Sequence, residues 1–348
     1  MATFEICITI KLIEYSLLTF TYGHDMTPFI HFFNTLFRDI INVTWTLFKI
    51  MIPIILLIKV VEEMGGIVLL SNLLSPLMET VGLPKEMGLV WATTLLTNIY
   101  GGLIVFINTD MPLSVAQVSI LGSMMLLAHS LPIEAAIAKK AGVNLSITLL
   151  IRVGGSFVLA WLLHQTYQTG DYLNQPAVTL WQPEAVTDTS YLAWGVNQLK
   201  SFMVIFGVIS ALLFTLKILK LLGIEKLMAI LLKPFLKILG ISKEATNLTI
   251  IGITLGLSFG GGLLINEAKT GHIPARDVFT AIMLLNLLHS LIEDTLLILL
   301  IGADFNTIFW GRLVFSVVVI SVISSLVRRV SPQICEKYLY HSVISVKE

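Results

Sequence analysis

The sequence predicts an all-α membrane protein: a polytopic helical bundle of two inverted repeats with broken or re-entrant helices. Three observations carry that prediction. Of 348 residues, 56% are hydrophobic and 13% charged, with a mean hydropathy of +0.89, whereas an average soluble domain is about 25% charged. Several apolar stretches reach the roughly 20 residues that a helix needs to cross a bilayer. Most telling, the chain repeats itself. Gly101-Gly102-Leu103 recurs as Gly261-Gly262-Leu263 and His129-Ser130-Leu131 as His289-Ser290-Leu291, while Glu134 maps to Asp294 and Arg152 to Arg312. The shared offset is 160 residues. Duplicated apolar segments around polar interruptions are the pattern of secondary transporters.

The elements follow in order. Residues 1–25 carry Lys11 and Glu14 in an apolar stretch and lack a small-residue cleavage pattern, so they read as an extension ahead of a start at Met26. Residues 28–42 are expected as an amphipathic surface helix, and together 1–42 form an N-terminal segment. The first repeat, 43–165, opens with a span at 43–61 containing Pro53, then an interfacial helix at 67–81. A second span, 86–107, is expected to break around Asn98 to Gly102. Residues 114–140 are expected to run as helix to Leu131, break at Pro132 and resume to Lys139-Lys140, re-entering the membrane without crossing it. A final span follows at 145–164.

A polar loop, 166–193, separates the copies; from Gln165 to Tyr191 there is no Lys or Arg. The second repeat, 194–328, runs in the same order: 194–216, 222–239, a broken span at 245–266, a broken helix at 275–302, and 306–327. A tail, 329–348, begins at the Arg328-Arg329 pair.

Charge sets the orientation, because cytoplasmic loops are enriched in Lys and Arg. The connector of the first copy has one lysine against four glutamates (Glu62, Glu63, Glu79, Glu86), and that of the second has six lysines against two glutamates. Opposite signs on equivalent connectors imply that the copies are inverted. With the 166–193 loop outside, Lys139-Lys140, Arg328-Arg329 and both termini are cytoplasmic, and each copy crosses three times. Lys269 and Arg276 then fall outside, against the rule.

Net charge is zero, which argues against a nucleic-acid partner. Cys7 and Cys335 lie outside both repeats and suggest neither a disulfide framework nor a thiolate site. No phosphate-binding loop, HExxH or nucleophile elbow is present, so no enzyme, cofactor or resident metal is expected.

The repeated polar residues are the candidate binding positions. Glycines permit broken helices whose free backbone groups bind solutes at membrane depth; close packing is the rival explanation, Gly252, Gly256 and Gly260 forming a ridge of small residues. An ionisable residue within the membrane implies function by default, so His129 and His289 stand out, with Ser130 and Ser290 beside them. Glu293 follows His289 by four residues, on the same face of a helix. Arg152 and Arg312, each 23 residues after its histidine, are expected to form structural ion pairs with Glu134 and Asp294. The full binding set is Asn98, Gly101, Gly102, His129, Ser130, Glu134, Gly261, Gly262, Asn266, His289, Ser290, Glu293 and Asp294.

Thr97-Asn-Ile-Tyr-Gly-Gly-Leu103 and Leu127-Ala-His-Ser-Leu-Pro-Ile-Glu134 resemble the Gate, or nucleoside recognition, domain. That domain is shared by spore maturation proteins and the membrane part of the bacterial ferrous-iron permease, and is related to the gate region of concentrative nucleoside transporters. The resemblance covers both copies. It implies gate elements converging at the bilayer midplane, and transport of a small polar solute, such as a nucleoside, across a bacterial inner membrane. Na⁺ or H⁺ coupling fits such a role, and so does homo-oligomeric assembly. Two alternatives are a membrane scaffold of spore-maturation type, with a dry and fully paired interior, and a divalent-metal permease. The latter requires the two histidines to lie close together with carboxylates facing them.

Overall fold

A computed structural model describes residues 27–109, 111–179, 190–257, 264–266, 268–269 and 273–341. The 1–25 extension and the Gly261-Gly262 pair lie outside these residues. The described residues contain no β-strand, only two isolated bridges.

Two compact units divide the chain: residues 1–53 with 186–231, and residues 54–185 with 232–348. The first unit contains most of α1 (Thr27–Glu63) and α9 (Tyr191–Leu221). Lys217 of α9 lies 3.8 Å from Asp39 and donates to Phe32 O at 3.3 Å, and Phe48 packs on Phe202. A surface helix at 28–42 and a separate span at 43–61 were expected. Instead α1 is continuous over 37 residues, since no helix-breaking residue separates the two stretches and Pro53 lies further along.

The second unit contains both sets of polar repeats. In the first copy, α2 (Gly66–Thr80) leads into α3 (Met87–Leu96) and α4 (Ile99–Thr109). Then come α5 (Val115–Leu127) and α6 (Leu131–Lys140), followed by α7 (Leu145–Leu149), a π-turn at Leu150–Gly154 and α8 (Gly155–Gly170). The second copy has α10 (Ile224–Ile238), α11 (Lys243–Leu255), α12 (Ala275–Leu287) and α13 (Glu293–Leu299). A π-turn at Asn306–Gly311 then enters α14 (Arg312–Arg329), and the short α15 (Pro332–Tyr338) closes the chain. Four stretches of the described residues are long and apolar enough to cross a membrane: Val115–Lys140, Leu145–Gly170, Tyr191–Leu221 and Asn306–Arg329.

Hydrogen bonds at the ends of these helices define two faces of the unit. On the loop face, residues 171–178 clasp the start of α5: Val115 N–H donates to Gln175 O, Ala116 N–H to Leu173 O and Ala177 N–H to Leu113 O, at 2.8–2.9 Å. Tyr167 near the end of α8 meets Thr307 by a hydroxyl–hydroxyl bond, and Asp304 N–H donates to Ser119 Oγ. On the tail face, Asn144 N–H donates to Leu339 O and His341 N–H to Gly142 O. Arg328 donates to Leu239 O, and Ser242 N–H to Asp277 at the start of α12.

These anchors fix direction. The α5–α6 segment runs from loop face to tail face, and α12–α13 runs from tail face to loop face. The last helix of each copy, α8 and α14, is likewise antiparallel to its counterpart. The copies are therefore inverted within the unit.

The same anchors correct the expected path in two respects. The histidine segment crosses the unit instead of re-entering, and residues Val115–Lys140 are the most enclosed of the crossing-length stretches, 67% buried against 28% for Leu145–Gly170. The glycine segment is the one that re-enters. Gln117 Nε2, at the start of α5, donates to Gly82 O just before α3, so α3 leaves from the loop face. After the α3–α4 turn, α4 leads back to that face at Leu113. At 1.5 Å per residue, helices of 10 and 11 residues reach only about half of the hydrocarbon core.

This exchange also brings Arg276 to the tail face, beside the C-terminal segment, where Lys139-Lys140 and Arg328-Arg329 also lie. For Arg276, the charge conflict of the sequence reading comes from having the wrong segment cross.

Candidate functional site

Both crossing segments break at the same residues, and the break is local to His-Ser. Helix α5 ends at Leu127 and α6 starts at Leu131; α12 ends at Leu287 and α13 starts at Glu293. Ser130 and Ser290 adopt left-handed φ angles of 48° and 44°, unusual for residues carrying a Cβ and a sign of a backbone held by its surroundings. Pro132 does not make the first break. It sits in the first turn of α6, where its missing N–H costs nothing.

Each break exposes carbonyl groups at the end of one helix and N–H groups at the start of the next. The arginines occupy the carbonyl side. Arg152 Nη2 donates to His129 O at 2.7 Å, and Arg312 donates to His289 O and Leu287 O, both at 2.9 Å. Arg152 sits in one π-turn and Arg312 directly follows the other; such turns recur at functional sites. The carboxylates occupy the amide side, Glu134 in the first turn of α6 and Asp294 in that of α13, where the helix dipole favours negative charge.

Tips of the re-entrant arms dock on the breaks. Ser130 N–H donates to Thr94 O, and Leu291 N–H to Ile253 O. The first arm turns at Thr97-Asn98, at the start of the expected Asn98–Gly102 break and three residues ahead of Gly101: Asn98 Oδ1 accepts from Gly101 N–H at 2.9 Å and caps α4. Gly101 and Gly102 are buried helical residues that let Thr94, Thr97 and Met125 approach. Packing explains this pair. In the second copy α11 ends at Gly256, with φ 95°. A Cβ there would lie 2.8 Å from Ser290 Oγ.

At the centre the histidines meet. His129 Nε2 and His289 Nε2 are 2.9 Å apart. Each Nδ1 faces a carbonyl one helical turn earlier, Met125 O at 3.0 Å and Leu285 O at 2.7 Å. A carbonyl only accepts, so each Nδ1 carries a hydrogen, and in the neutral rings both Nε2 lone pairs point at each other. Glu134 Oε1 lies 3.4 Å from His129 Nε2 and 3.2 Å from His289 Nε2, while its other oxygen, Oε2, pairs with Arg152. Asp294 Oδ2 is 3.7 Å from His129 Nε2. All four side chains are buried.

The two copies differ in how they satisfy their charges. The expected Glu134–Arg152 pair forms. Asp294 and Arg312 attract each other electrostatically but make no direct contact among the described residues, and Asp294 Oδ2 and Arg312 Nη1 are both buried without a hydrogen-bond partner. Asn286, three residues before His289 and fully buried, has neither side-chain atom paired.

Of the sequence-expected residues, His129, Ser130, Glu134, His289, Ser290 and Asp294 belong to the two breaks, and Asn98 caps the first re-entrant arm. Glu293 does not share a helical face with His289, because Leu291 and Ile292 are not helical; Asp294 is the counterpart of Glu134. Asn266 is exposed and joins no part of the cluster. Sequence reasoning missed Tyr100, which lies within electrostatic range of Glu293 and Asp294; its place in the turn after Asn98 was the available signal. It also missed Asn286, for which the repeat offers no signal, since Leu126 holds the equivalent position.

No protein-family model and no solved structure matches the chain. A similar sequence is the uncharacterised membrane protein YvoD of Bacillus subtilis (strain 168), 27% identical over 267 residues, covering 74% of this chain and 83% of that protein. This likeness and the four crossing-length helices make the chain a membrane protein.

Proposed function

We propose that this protein is a transporter that passes a small solute across a bacterial inner membrane, through the meeting point of its inverted repeats. The observation that carries the reading is the buried cluster of His129, His289, Glu134 and Asp294, contributed by both copies and left partly unpaired. A scaffold gains nothing from a buried carboxylate oxygen without a hydrogen bond, which costs free energy unless something else satisfies it. Broken helices facing one another at mid-depth are the binding geometry of many transporters, which move one repeat against the other around the site. The tail face, bearing Lys139-Lys140, Arg276 and Arg328-Arg329, is the cytoplasmic one.

The Gate-domain resemblance favours a nucleoside as the solute. The approach of the two histidines with carboxylates facing them favours a cation.

Alternating exposure tests the transport reading without knowing the solute. In a background free of Cys7 and Cys335, Ser130→Cys and Ser290→Cys should each react with a membrane-impermeant thiol reagent added from one side or the other. Thiols inert from both sides, in protein that remains folded, would leave the scaffold reading standing.

A further inference from the structure

We infer that His129, His289 and Glu134 form a binding site for a divalent first-row transition-metal ion, which deepens the transport reading by naming its substrate class.

The donor geometry is the first argument. Ligand bonds to zinc or similar ions are about 2.0–2.2 Å long. Ligands of one ion then stand about 3.0–3.5 Å apart, at the angles of octahedral or tetrahedral coordination. Here the three separations among His129 Nε2, His289 Nε2 and Glu134 Oε1 are 2.9, 3.2 and 3.4 Å. All three donors are buried, and they form the group of residues placed to hold a metal ion among the described residues.

The second argument is tautomeric. With each Nδ1–H committed to a backbone carbonyl, the Nε2 atoms have lone pairs to give and no hydrogen between them. Backbone hydrogen bonds of this kind orient metal-binding histidines. Three electron-pair donors aimed at one point need an acceptor there. Asp294 Oδ2, without a hydrogen bond and 3.7 Å from His129 Nε2, supplies a fourth donor.

Donor type then selects the ion. Two imidazoles and a carboxylate suit Zn²⁺, Fe²⁺, Mn²⁺ or Co²⁺, whereas Mg²⁺ and Ca²⁺ prefer oxygen alone. Glu134 also faces Arg152, so the site is not a strongly anionic cage. It holds an ion without trapping it, as conduction requires.

The test uses full-length protein in detergent, titrated with Co²⁺ as a spectroscopic probe and then with Zn²⁺ as competitor. The expected result is one Co²⁺ per chain, with visible ligand-field bands that Zn²⁺ abolishes. His129→Ala and His289→Ala should each weaken binding more than about tenfold, whereas His164→Ala should not. Should these variants fail to fold, X-ray absorption on zinc-loaded wild-type protein reads imidazole ligation directly, two imidazoles being expected. No stoichiometric metal, metal unaffected by either variant, or a spectrum without imidazole would overturn the proposal; in the first case the lone pairs share a proton instead. Reconstituted protein separates this claim from transport. Zn²⁺ entering liposomes, and failing to enter with His289→Ala, supports both. Metal bound but not moved keeps the site and overturns the transport reading, whereas nucleoside uptake without metal binding keeps transport and overturns the site.

Discussion

Arg152 bonds to the backbone carbonyl of His129 and to the carboxylate of Glu134, and so ties the end of one helix to the start of the next. One side chain therefore fixes the position of two of the three central donors. Its counterpart Arg312 holds only the carbonyl side, which makes the second copy the looser half.

Removing one member of the Glu134–Arg152 pair leaves a buried charge alone, a loss of about 3–5 kcal/mol. Arg152→Met and Glu134→Gln should each lower the unfolding midpoint in detergent by many degrees. Arg312→Met should cost less, because it breaks no hydrogen-bonded carboxylate pair. Equal losses from Arg152→Met and Arg312→Met would contradict the asymmetry.

A Cβ at Gly102 collides with Thr94 Oγ1 and lies 3.0 Å from Met125 Cε. Gly102→Ala should destabilise by about 1–3 kcal/mol, and adding Thr94→Ala should recover a substantial part of the loss. Gly195→Ala is the control: nothing lies within 4 Å of a Cβ there, so its stability should not fall. Thermal denaturation of Gly102→Ala, Thr94→Ala, their double mutant and Gly195→Ala decides the matter, and an additive double mutant would argue against the packing account.

Ser130 and Ser290 hold left-handed backbone that glycine adopts freely. Ser130→Gly should be neutral or stabilising by up to about 1 kcal/mol, and Ser130→Val clearly destabilising. If the hydroxyl also contacts the transported solute, Ser130→Gly will reduce uptake in proteoliposomes while its stability holds, an uncoupling that a purely structural serine would not produce.

Sidedness follows from the anchors of the two faces. Cysteines introduced at Lys140 and Arg329 should label from one side of right-side-out vesicles, and one at Tyr172 from the other. Labelling of 140 and 172 from the same side would mean that the α5–α6 segment does not cross.

Much of this was legible in the chain. After α1, most helix positions among the described residues followed the apolar runs to within a few residues, and the 160-residue echo marked both breaks and both arginines. Path was harder to read, because residues that look like breaks are not always where a helix breaks. Gly101 and Gly102 lie inside a helix and serve its close packing, whereas the turn beside them uses Asn98 as a cap. Pro132 begins a helix instead of ending one. The approach of His129 to His289 was not readable either. Sequence separation says nothing about distance across an inversion, and only the antiparallel course of the segments brings residues 160 apart into contact.

The contact between the two histidines also bears on ancestry. Each half of the chain contributes one imidazole, so neither half alone contains the pair. If the duplication began with a half-length chain, that ancestor could build the same centre only as a dimer of two molecules inserted in opposite orientations. Fusion would then have fixed one orientation for each half. A glutamate-rich connector in one copy and a lysine-rich connector in the other are what such a fixation would leave behind, each copy free to take the charge bias suited to one side.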